Sequence, residues 1–173
     1  MHQQFSIPKE ETFRAKWPHE IFLINLVFNH ILVFASTFGV FTTFPLMILI
    51  VPITSFVITV YIIVKAKQIA AGNETWFVKS HWKIAAKRNI AFLKLLSVAC
   101  TIIGGGLLLS KVMGWSKIPT LALIGGAGLL PFMVALLILI VLGNESMYMA
   151  RHGKLPKRFV EQNPAPASPI ISS

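Results

Sequence analysis

The chain has 173 residues, 55% of them hydrophobic and only 13% charged, with a mean hydropathy of +0.72. Soluble domains carry about 25% charged residues, so this composition excludes an ordinary soluble enzyme and points to an integral membrane protein. The formal net charge of +10, from 16 Lys and Arg against 6 Glu and no Asp, suits membrane topology and anionic phospholipids. Nucleic acid is not an expected partner, because the aromatic residues lie in the apolar runs rather than among the basic ones.

Residues 1–19 read as a cytoplasmic tail. Four apolar runs follow, at 20–41, 44–64, 90–113 and 118–142, each near the ~20 residues that a spanning helix needs. The first starts too deep in the chain and is too long for a cleaved signal peptide. It carries Asn25, Asn29 and His30. Asn25 and Asn29 are i,i+4 neighbours on one helix face, and His30 sits near the expected bilayer midplane. Polar groups at that depth are costly and mark either a functional site or interhelical hydrogen bonding. The short joint GVFTTFP, with Pro45 suited to a helix first turn, predicts a tight hairpin between runs one and two. Pro52 and Pro131 predict kinks in runs two and four.

The middle connection, 65–89, is basic and aromatic. At 100° per residue Lys79, Lys83 and Lys87 fall on one face of its second half, with Trp76 and Ser80 beside them. Phe77, Val78, His81, Trp82, Ile84 and Ala85 fall on the opposite arc. Gly72 and Asn73 break the chain before it, and Thr75 is a candidate N-cap. This pattern predicts an amphipathic helix lying in the membrane interface, with the apolar arc in the acyl boundary and the lysines and Arg88 at lipid phosphates. The competing expectation is a plain cytoplasmic extension of the third helix.

The stretch YIIVKAKQIAAGNETWFVKSHWKIAAKRN resembles a pattern in a family of small, uncharacterised bacterial inner-membrane proteins, in which a helix ending near a Tyr leads to a polar loop, then Ser-His-aromatic, then a returning helix. Tyr61, Ser80, His81 and Trp82 carry the resemblance, and Ala85 to Asn89 depart from the family's continuation. The resemblance implies the layout and the bacterial inner membrane. It implies no activity.

Run three reads SVACTIIGGGLLL and run four ALIGGAGLLPF. Ser97, Thr101 and Gly105 recur every four residues beside Gly104, as do Ala122 and Gly126; small residues at that spacing predict close helix packing in lipid. Residues 143–173 read as a second cytoplasmic tail, disordered from about 162, where NPAPASPIISS is rich in Pro and Ser. The two tails and the middle connection, with Lys94 just inside run three, hold 14 Lys and Arg, against Lys111 and Lys117 on the other side, so the positive-inside rule places both tails in the cytoplasm.

Chemistry is sparse. No His-x3-His, paired Cys or acid cluster offers a metal site, a Ser-His-Asp triad is impossible without Asp, and His30 has no second midplane histidine with which to ligate a haem. No cofactor is expected. The reading is therefore an all-α four-helix bundle of two hairpins with both tails inside and an interfacial helix between them. Its expected role is a non-enzymatic accessory or scaffold subunit of a larger complex, with other membrane-protein subunits as partners. The alternatives are a small transporter or channel component, or the membrane anchor of a redox enzyme with His30 near a quinone or haem.

Overall fold

The computed structural model describes residues 2–36 and 44–166. It is 85% helical. Four helices are long and apolar enough to span a membrane: α1 Lys9–Ser36, α2 Ile50–Ala71, α3 Trp76–Met113 and α4 Ile118–Arg151. Two short strands, β1 His2–Gln4 and β2 Lys154–Pro156, pair antiparallel, and a final short helix, α5, covers Lys157–Gln162. Most of the joint expected to make a tight hairpin, up to residue 43, and the tail from 167 lie outside the described residues.

The helices are longer than the apolar runs, always in one direction. At 28, 22, 38 and 34 residues, α1, α3 and α4 exceed the ~20 that a bilayer needs, and the excess collects at the end where the two strands meet. That end is a built layer. Ala15 of α1, Ala66 of α2, Phe77, Val78, Trp82 and Ile84 of α3, Ala150 of α4, Leu155 of β2 and Phe159 of α5 form one buried cluster. The 143–162 segment, the part of the expected tail ahead of its Pro- and Ser-rich end, extends α4, pairs with the N-terminal strand and supplies core side chains. Gly153 makes the turn before β2 possible. Its φ is +64°, and a Cβ there would lie 2.6 Å from the Phe5 carbonyl oxygen, to whose own residue Gly153 is tied by a 2.8 Å Phe5 N–H to Gly153 O bond.

The amphipathic arc at 76–89 is correctly phased, but it does not lie in lipid. Its members Phe77, Val78, His81, Trp82, Ile84 and Ala85 are all buried within the protein, His81 and Ala85 completely. The segment is the first part of α3, continuous with the spanning part, and its apolar arc packs on α1, β2 and α5. An apolar stripe seeks any non-aqueous surface, and here the ordered chain ends supply it. Thr75 caps this helix as its position suggests, accepting from the Val78 N–H at 3.5 Å, while its hydroxyl donates to Glu11 at 2.6 Å.

Both prolines stand beside irregular turns of their helices. Pro52 lies in the first turn of α2, just after a 3-10 turn at Pro45–Leu49, where no helical N–H is missed. Pro131 follows a π-helical stretch, Leu123–Leu129; an imide without N–H leaves the preceding turn short of a donor, and i→i+5 bonding absorbs the mismatch.

The small-residue faces also differ. Ser97, Thr101, Gly104, Ala122 and Gly126 are exposed and Gly105 is half-buried, and a Cβ at Gly104, Gly105 or Gly126 would meet nothing within 4 Å. Ser97 and Thr101 turn their hydroxyls back to the carbonyls of Leu93 and Ser97, each at 2.8 Å. Helices α3 and α4 meet instead at Gly106, whose added Cβ would touch Leu123 and Ile124 at 3.3 Å, and at Gly128, against Ile103 at 3.2 Å. Three consecutive glycines offer three directions of approach, so spacing alone does not select among them.

Candidate functional site

The described interior holds two histidine centres. The deeper one begins with a π-helical stretch of α1, Asn25–Val33. Bonding of i→i+5 type brings residues five apart onto one side. The His30 ring Nδ1 accordingly lies 3.2 Å from the Asn25 carbonyl oxygen, and Asn25, Asn29 and His30, predicted from sequence, come together on the inner face, all buried. The Asn29 amide donates to the Val51 carbonyl and to Ser55 Oγ, both at 2.9 Å, and lies 3.2 Å from Asn25 Oδ1. Ser55 in turn donates to Asn25 Oδ1 at 2.9 Å. The cluster therefore ties α1 to the start of α2.

Ser55 Oγ stands 3.4 and 3.3 Å from the two nitrogens of the His30 ring, so it is aligned with neither. Phe92 meets that ring edge-on at 5.1 Å and Phe132 tilts against it at 5.8 Å. Beyond the ring lies an apolar cavity of about 280 Å³, walled by His30, Pro52, Leu96, Cys100, Gly104 and Phe132 among others. Two of its lining residues, Cys100 and Gly104, are exposed within the apolar part of α3.

The second centre pairs His19 of α1 with His81 of α3, nitrogen to nitrogen at 3.1 Å (His19 Nε2 to His81 Nδ1), with both side chains fully buried. His81 Nε2 lies 3.1 Å from the Lys154 carbonyl, which can only accept. His81 therefore carries its hydrogen on Nε2, its Nδ1 accepts from His19 Nε2–H, and His19 Nδ1 remains a bare buried acceptor. Phe77 lies edge-on to His81 at 4.7 Å. The pair fastens the starts of α1 and α3 to β2, which is a structural role. Among the described residues no three His, Cys, Asp or Glu converge as a metal set.

No protein-family model, curated protein or solved structure matches the chain. Its four spanning helices make it a multi-pass membrane protein by length and composition, and any finer role rests on the residues themselves.

Two participants escape sequence reading. Ser55 is one; the signal was present, since Val51, Ser55, Thr59, Ile62 and Ala66 are the buried residues of α2 and follow helical spacing, with two hydroxyls inside an apolar run. His19 is the other, and no local pattern joins it to His81 across 62 positions. The residues expected at the lipid boundary divide. Lys83 and Lys87 are exposed and Lys79 and Trp76 partly so, whereas His81 and Trp82 are core residues. Arg88 donates to the Leu142 carbonyl of α4.

Proposed function

We propose that this protein is a non-enzymatic accessory or scaffold subunit of a larger complex of the bacterial inner membrane, folded as two helical hairpins with both chain ends on the cytoplasmic side. The carrying observation is the uncovered small-residue face. Gly104, Gly105, Gly125 and Gly126 have open space where a side chain would stand, while the chain's own α3–α4 contact uses Gly106 and Gly128. A bare backbone ridge in lipid gains most from the close approach of another helix. The interior polar groups support the same reading: Asn25, Asn29 and Ser55 are engaged with one another and with the Val51 carbonyl, as interhelical glue rather than as a nucleophile with its base. The charge asymmetry of 14 to 2 along the sequence supports the orientation.

The test uses the open space itself. Gly105→Leu with Gly126→Leu should leave the isolated protein folded, because nothing stands in the way, and should abolish co-purification of partner subunits in mild detergent. Partner recovery at wild-type yield with both changes present removes this face from the reading.

The cavity beside His30 favours a second reading, the membrane anchor of a redox enzyme that holds a membrane-soluble cofactor against the ring. His30→Gln decides between them. An unchanged visible spectrum with normal assembly supports glue, since an amide can donate and accept at similar reach. A chromophore lost in the variant supports the anchor.

A further inference from the structure

On the surface between α2 and α3 runs a groove of about 450 Å³ that no histidine lines. Its walls change character along its length. Ile63 of α2 and Ile90 of α3 lie at the end toward the spanning parts of the helices; Lys67, Lys79 and Lys83 lie at the other end, where Trp76 and the Phe159 side chain of α5 close it off. The Trp76 ring N–H donates to the Asn163 carbonyl at 3.2 Å, and Lys83 donates to the Asn163 side chain, so the outer wall is held by Asn163, just past α5.

No acidic side chain lines this groove. Glu20 is engaged by Lys16 and Arg151, Glu74 by Arg14, and Glu145 by His2. Among the described residues Lys67, Lys79 and Lys83 have no ion pair, and these three like charges from two helices line one largely apolar trough. Like charges lining one groove repel, and an anion held among them would relieve that repulsion. The apolar half says what else that anion carries. We propose that the groove is a discrete site for one anionic phospholipid, its phosphate between Lys67, Lys79 and Lys83 and an acyl chain along Ile63 and Ile90. The site differs from diffuse attraction of a basic surface to an acidic membrane. Lys65 and Lys87 carry the same charge on the same two helices and do not line the groove.

Each lysine near a membrane surface contributes about 1 kcal/mol toward anionic lipid, which is about fivefold in affinity. The experiment titrates the detergent-solubilised full chain with phosphatidylglycerol, phosphatidylcholine or inorganic phosphate and counts bound molecules by native mass spectrometry. One phosphatidylglycerol should remain bound, phosphatidylcholine should not, and millimolar phosphate should not displace it. Lys67→Gln with Lys79→Gln should lower that affinity at least tenfold, and Lys65→Gln with Lys87→Gln should change it less than twofold. Equal losses in the two double variants mean diffuse electrostatics and overturn the site. Displacement by phosphate means a soluble-anion site, and equal retention of phosphatidylcholine means an acyl groove without headgroup recognition; either overturns it too.

Discussion

The two ends of this molecule are packed by different rules. At the end where the strands meet, large side chains are inside: Phe77, Trp82, Leu155 and Phe159 are buried, and the helix surfaces are laced by Lys16–Glu20 at 2.8 Å, Arg151–Glu20 at 2.9 Å and Arg14–Glu74 at 3.4 Å. At the far end large apolar side chains are outside: Leu46 and Val112 are 75% exposed and Ile118 81%, and the contacts between α3 and α4 are made at glycines. The same residue types are used in opposite ways because the solvent changes along the helices. In water, burying a large apolar side chain stabilises by about 1.5–3 kcal/mol. In lipid that drive is absent, and close packing and interhelical hydrogen bonds hold helices together instead.

The sharpest way to break this comparison is Trp82→Ala. If the strand end is a water-driven core, the change should destabilise the protein by about 3–5 kcal/mol in reversible denaturation, as truncation of a buried aromatic does. A loss below about 1 kcal/mol would mean that Trp82 sits at a lipid boundary after all. Next in size is a pair of glycine changes at the far end. Gly128→Leu forces bulk against Ile102 and Ile103 and should cost about 1–3 kcal/mol, whereas Gly126→Leu should stay within about 0.5 kcal/mol, as uncovered surface changes do. Equal effects would mean that the two glycines do not differ in contact. The smallest effect is expected from Glu20→Gln, which removes the negative charge shared by Lys16 and Arg151 while keeping an acceptor oxygen. Its cost should be below about 1 kcal/mol and should shrink between low and high salt, because partly exposed pairs are screened. A salt-independent loss would place Glu20 in a dry interior.

Much of this was legible in the sequence where a pattern is local. The four runs are counted from composition, the arc at 76–89 from its period, the Thr75 cap from one residue, and the Asn25–Asn29 contact from i,i+4 spacing. The unreadable parts depend on partners distant in sequence. The arc has the same period whether it faces lipid or protein; only the return of residues 154–162, invisible to any local window, decides between them. The His19–His81 bond has the same character. The convergence of His30 with Asn25 depends on a π-helical stretch that no residue in NLVFNHILV announces. Ser55 is legible in principle, as a hydroxyl at helical spacing on the buried face of an apolar run.

The pairing of Gln4 with Lys154 and of Gln3 with Leu155 has a consequence for the order in which the molecule is made. These partners are about 150 residues apart, among the longest separations the chain allows, and such contacts form late because everything between them must first be placed. While the ribosome is still extending the chain, α1 and α3 have emerged and β2 has not. Throughout that interval His81 lacks the Lys154 carbonyl, and Phe77 and Trp82 lack Leu155 and Phe159. The N-terminal strand can close only after the last spanning helix has been delivered, so its closure registers completed insertion. A chain truncated before Lys154 would carry all four spanning segments into the bilayer and still present an unsealed aromatic surface, the kind of exposed apolar patch that quality-control proteases and chaperones meet in unfinished proteins.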